Sequence, residues 1–219
     1  MSTTFEPKLS ILSEQQRRLW AELGDVPGSF VLCGGTAVAL HLGHRTSVDF
    51  DFIASEEFDP DVLYVKTPFL KDSTALQKSA NTLTCLVDRG GPVQISFFGA
   101  STIRLIEPPH VAPDNDLKIA SLVDLAGMKA AVVQKRAEAK DYLDLDAIIV
   151  QGLVDLPGAL AAGKAIYGRA FNPEITLKSL CYFSDGNLST LPREVQDRLA
   201  AAVKSVDLDH LPELDSRQR

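Results

Sequence analysis

The sequence lacks most of the features that mark easily recognised classes. Its 3 cysteines among 219 residues, Cys33, Cys85 and Cys181, are odd in number, far apart and each beside a leucine, with no C-x-x-C and no histidine at zinc spacing. That pattern excludes a disulfide framework and a zinc site, and predicts three buried reduced thiols. No apolar run approaches the roughly 20 residues of a transmembrane helix. The opening MSTTFEPKLS lacks the basic, apolar and cleavage regions of a secretory signal, so the expected location is the cytoplasm, away from any membrane. Basic residues are the minority, 22 Lys and Arg against 29 Asp and Glu. A broad phosphate-binding footprint is thereby excluded, leaving room for a local basic patch only. Neither a G-x-x-x-x-G-K-[ST] run nor a G-x-G-x-x-G after the first apolar run is present, which argues against P-loop and dinucleotide folds. What remains is 45% hydrophobic and 23% charged, the composition of a compact domain with a packed core.

Along the chain, Ser13 and Gln16 have the capping-box form, and Leu19, Trp20 and Leu23 recur at helical spacing up to Pro27-Gly28. The apolar run 29–33 predicts a buried strand, Thr36 to Leu42 a helix stopped by Gly43, and Val48 to Ile53 a second strand. Asp59-Pro60 opens a short helix to about Val65, and 82–87 with 93–98 form a hairpin around Asp88-Arg89-Gly90-Gly91-Pro92. A further strand is expected at Ile103–Ile106. Beyond Pro113 the pattern turns helical, with segments at 122–137, 140–150, 156–167, 173–183 and 192–206, and Ser216 to Arg219 expected to fray.

Two acids stand out in Val48-Asp49-Phe50-Asp51-Phe52. On a strand, Asp49 and Asp51 share one face and Val48, Phe50 and Phe52 the other, with the acids about 6–7 Å apart at their Cα atoms. Two ionised carboxylates side by side raise each other's pKa, and a divalent cation removes that penalty. The preceding Gly34-Gly35-Thr36 turn supplies the complement. Glycines let the backbone approach a ligand, and the amides of the helix start favour phosphate. Thr36 either adds a hydroxyl donor or caps its helix. Together these residues predict a site for Mg²⁺ (or Mn²⁺) and a nucleoside triphosphate, with Arg45 and Ser47 in supporting positions. His41 and His44, without a partner at metal spacing, read as polar helix-end residues.

The run GGTAVALHLGHRTSVDFDF resembles the signature of AbiEii/AbiGii-type toxin nucleotidyltransferases, a branch of the DNA polymerase beta-like superfamily. MKAAVVQKRAEAKDYLDLDAI resembles that family's later helical motif. The resemblance implies an α+β fold: a nucleotidyltransferase-like mixed sheet flanked by helices in 1–113, then a helical region, 114–219, that completes the active-site cleft. It implies transfer of a nucleoside monophosphate from an NTP to an acceptor hydroxyl on tRNA or protein, in a toxin with a cognate antitoxin. It marks Lys129 and Asp141 as active-site residues beside Asp49 and Asp51, with Lys129 to neutralise the triphosphate and Asp141 to position or deprotonate the acceptor. Lys129 and Arg136, seven apart, are expected near one helix face, able to point two cations at a triphosphate. Lys140 and Asp144 read as an i,i+4 pair, with Lys140 a further nucleotide-binding candidate.

One position departs from the superfamily. Where many members carry a third carboxylate on a later strand, VQISFFG has Ser96. A serine replaces neither a strong ligand nor a base, which sets a catalytically degenerate binding protein beside the nucleotidyltransferase reading; a phosphotransferase, using the same metal logic, is the other alternative.

Overall fold

The computed structural model describes residues 5–151 and 154–214; the expected fraying at 216–219 lies outside them. The chain divides into two compact units, one of Met1–Ile103 with Pro108–Ala120 and one of Arg104–Glu107 with Ser121–Arg219. The fold is α+β.

The first unit is built on a seven-stranded sheet. Its elements are α1 (Glu14–Trp20), β1 (Phe30–Cys33), α2 (Gly34–Leu42), β2 (Asp49–Ala54), α3 (Pro60–Lys66), β3 (Thr74–Ser79), β4 (Thr82–Asp88), β5 (Pro92–Gly99), β6 (His110–Val111) and β7 (Lys118–Ile119). The strand order is β3-β4-β5-β2-β1-β7-β6. The β2–β5 and β1–β7 pairs are parallel and the others antiparallel. Phe50 and Phe52 are fully buried. Phe52 stacks on Phe97 with centroids 5.2 Å apart, and Trp20 of α1 lies over Phe50. Burying each such ring contributes about 1.5–3 kcal/mol, so the apolar face of β2 is the one the core holds, and its acids take the other.

The capping box at Ser13–Gln16 forms in both directions, and Asp59 caps α3 with Pro60 at its first position. Four expectations are corrected. Val48 is 68% exposed and precedes β2, because the inward alternation starts only at Phe50. No strand forms at 103–106. Asp124 takes the Ile106 amide at 2.7 Å and the Glu107 amide at 3.3 Å, so these backbone donors go to a buried carboxylate. Short β6 and β7 and the wholly exposed edge strand β3 carry no apolar alternation, which is why pattern reading misses them. Cys33 and Cys85 are buried, whereas Cys181 is exposed, one residue past the C-cap of a helix.

The second unit consists of α4 (Leu122–Val132), α5 (Ala139–Val150), α6 (Leu156–Tyr167), α7 (Pro173–Ser179) and α8 (Arg193–Lys204). Gly127 of α4 lets α6 approach closely, since a Cβ there would lie 2.8 Å from the Ala162 Cβ. Arg198 of α8 grips Asp146 of α5 through two bonds of 2.9 and 2.6 Å. None of the described helices is long and apolar enough to cross a membrane.

Candidate active site

β1 runs into α2 without a loop, and the junction sits against β2. Cys33 is the register partner of Asp51. Gly34 has φ +70°, and a Cβ there would lie 2.8 Å from Asp51 Oδ2. A left-handed conformation with no room for a side chain requires glycine, and it lets backbone reach the carboxylate. Asp49 and Asp51 are both partly exposed on the face opposite Phe50 and Phe52.

The helix begins at Gly34, two residues before the expected start at Thr36. Its N-cap, Cys33, supplies no side-chain hydrogen bond, so that side chain offers the first-turn amides nothing. Thr36 is buried and donates its hydroxyl to the Asp49 carbonyl. It therefore does not cap α2; it ties the helix to the acidic strand. The Arg45 guanidinium covers Gly35, where any Cβ would overlap it, and Ser47 Oγ lies 3.4 Å from the same point. Arg45 Nη1 donates to the Thr46 carbonyl at 2.9 Å. The fold thus brings Gly34, Gly35, Thr36, Arg45, Ser47, Asp49 and Asp51 together.

In the second unit, Lys129 Nζ lies 2.7 Å from Asp141 Oδ1 and 2.6 Å from Asp144 Oδ2. Arg136 donates to Asp141 through Nε at 2.8 Å and Nη2 at 3.2 Å. Lys129 is 5% exposed and both aspartates are fully buried. Burial alone would raise the Asp141 pKa, but the Arg136 hydrogen bonds and the Lys129 charge outweigh it and hold the carboxyl below its ordinary value. An ionised carboxylate with both oxygens engaged is suited to holding cations, and poorly suited to taking a proton.

Two expectations about this cluster are corrected. α4 ends at Val132, so Lys129 and Arg136 do not share a helix face; a turn carries Arg136 back to Asp141. Lys140 pairs with Glu138 at 3.0 Å, while Asp144 holds Lys129. The i,i+3 spacing of Asp141 and Asp144 placed both acids on one side of α5 and was the available signal for this pairing. Glu138, missed altogether, sits at the start of α5 and also lies 3.5 Å from Arg136.

The model of the family described as nucleotidyl transferase AbiEii toxin, type IV TA system, matches residues 18–216. The chain belongs to the AbiEii family. It is 35% identical over 158 residues to an uncharacterized protein of Aquifex aeolicus, covering 71% of this chain and 74% of the other. Among solved structures it is similar to MenT4, a nucleotidyltransferase toxin of Mycobacterium tuberculosis, with a TM-score of 0.61 and 17% identity over 89% of this chain and 83% of that one. It is also similar to a putative nucleotidyltransferase of H. pylori, with a TM-score of 0.56 and 16% identity over 88% and 94% of the two chains. These two likenesses concern the fold; family membership makes the chain a nucleotidyltransferase.

The paired carboxylates fit a hard divalent cation. The donors lie on one strand face, and Gly34 packs against one of them with no side chain in between. Gly34→Ala is expected to cost about 1–2 kcal/mol of stability for the left-handed conformation and to push Asp51 out of place. Nucleotidyl transfer should fall at least about tenfold, the equivalent of 1.4 kcal/mol. A thermal melt beside a transfer assay checks both effects.

Behind the site, His41 of α2 donates from Nε2 to the Ala120 carbonyl at 2.9 Å. Burial, opposed by that bond and reinforced by neighbouring His110, pushes its pKa down to about 4. The unfolded chain takes this proton near pH 6.5 and the folded one only near 4. Stability should therefore fall as pH drops between those values, and His41→Gln should flatten that part of a denaturant-midpoint profile.

Proposed function

We propose that this AbiEii-family chain transfers a nucleoside monophosphate from an NTP to an acceptor hydroxyl, with Asp49 and Asp51 holding Mg²⁺ or Mn²⁺. The observation that carries the reading is the close approach of Gly34, the first residue of α2, to Asp51, where even a Cβ would lie 2.8 Å from the carboxylate. When bound, the cation would offset charge on the phosphates as the phosphorus is attacked. Gly34, Gly35 and the first turn of α2 orient the triphosphate through backbone amides. Arg45 and Ser47 border that turn and add a cation and a hydroxyl. The acceptor oxygen bonds to the α-phosphorus, the bond to the β-phosphate oxygen breaks, pyrophosphate leaves and the acceptor proton passes to solvent.

Lys129 and Asp141 enter through the resemblance of their motif. In this reading Lys129 supplies positive charge during turnover, held by Asp141 and Asp144. Asp141 keeps Lys129 and Arg136 in place. Arg136 and Lys140, more exposed, are further cations that could bind nucleotide in this reading. The acceptor is tRNA or a protein side chain, the setting is the cytoplasm, and a cognate antitoxin opposes the activity.

Labelled nucleotide tests this. Label from the α-phosphate on an acceptor supports the proposal. Label from the γ-phosphate would assign a phosphotransferase instead. Binding of NTP with neither transfer would assign a non-catalytic binding protein, the reading favoured by Ser96 at the third-carboxylate position.

A further inference from the structure

The parallel register of β2 and β5 pairs Asp49 with Gln94 and Asp51 with Ser96, and the antiparallel register of β4 and β5 pairs Ser96 with Thr84. Paired residues on adjacent strands point to the same face of a sheet. The face that carries the acids therefore continues as Gln94, Ser96 and Thr84, all neutral. Position 96 is one strand spacing, about 4.8 Å, from Asp51, close enough for a carboxylate there to share divalent ions with it. Ser96 is instead buried, and its Oγ accepts from Thr84 Oγ1 at 3.4 Å. Among the described residues, no three His, Cys, Asp or Glu side chains form a group that could hold a metal ion. A neutral hydroxyl engaged by its neighbour is a poor ligand for a hard cation beside two carboxylates.

We infer that the side chains of this enzyme hold one divalent ion, at Asp49 and Asp51, and that position 96 is a ligand position kept in register by the sheet but left neutral. A second ion would arrive only with the triphosphate. The inference rests on the proposed metal role of Asp49 and Asp51.

The test is an ion count on the full chain with Mn²⁺ alone, read by electron paramagnetic resonance at saturation, beside a thermal melt. Wild type is expected to bind one ion, and Ser96→Asp two. Without metal the Ser96→Asp protein should melt lower than wild type because three carboxylates crowd one face, and Mn²⁺ should restore it. Ser96→Ala should bind one ion with affinity within about twofold of wild type, less than 0.5 kcal/mol. Two ions in wild type would overturn the inference while leaving the Asp49–Asp51 reading intact. So would a folded Ser96→Asp protein that binds one. If Ser96→Asp does not fold, Ser96→Ala still decides: a tenfold loss of Mn²⁺ affinity would make Ser96 a ligand and overturn the proposal. No ion in wild type overturns both readings.

Discussion

Asp51→Asn is expected to lower nucleotidyl transfer about a thousandfold. Stabilising the charge that develops at phosphorus through a bound cation supplies several kcal/mol, and about 4 kcal/mol corresponds to three orders of magnitude. The amide keeps the shape that packs on Gly34 but loses the charge that would hold the ion. The fold should not suffer. Asp51 sits on a partly exposed face of β2, and the isosteric amide keeps its volume, so the variant should still unfold in one cooperative transition. A transfer assay with α-labelled NTP and a melt without metal give the two readings. A folded Asp51→Asn enzyme that keeps more than a tenth of the rate would rule out the metal role of this acid.

Lys129→Met should produce the largest loss of stability. The substitution leaves Asp144 fully buried without its ammonium and strips one of the two cations from Asp141. Removing one partner of a buried ion pair costs about 3–5 kcal/mol, because the remaining charge stays desolvated. For a chain of this size that is a fall of roughly 10 °C in the melting temperature. Adding Asp144→Asn should recover part of the loss, which a simple packing defect would not allow. The pH dependence follows from the direction of the Asp141 shift. Its folded pKa is lowered, so its contribution is present above the unfolded carboxylate value of about 3.9 and disappears as pH falls through the folded value. The gap between wild type and Lys129→Met should narrow as the solution is acidified below about pH 4. A gap that stays constant would show that the cluster is not held by charge.

The paired acids were legible because strand alternation is local. Once Phe50 and Phe52 must face the core, Asp49 and Asp51 have one direction left. The glycine turn was legible for a similar reason: adjacent glycines between an apolar run and a helix mark a close backbone approach, and the fold uses it at Gly34, where φ is +70°. The helical motif was legible only as a set of residues. Its charges suggested two cations on a long helix and a Lys140–Asp144 pair, both replaced once α4 stopped at Val132 and α5 presented Asp141 and Asp144 together. Charged side chains three, four or seven apart have several possible partners, and the one chosen depends on which of them the core desolvates.

By itself the sequence determined the class of chemistry: a glycine turn beside two acids on one strand face, features that depend on neighbours a few residues away. Tertiary structure decided what stands beside them. Ser96 meets Asp51 because β5 runs parallel to β2, and Lys129 meets Asp144 because two helices fold back on one another. Strand register and the burial of ion pairs join residues distant in the chain, and only the folded protein specifies those distances.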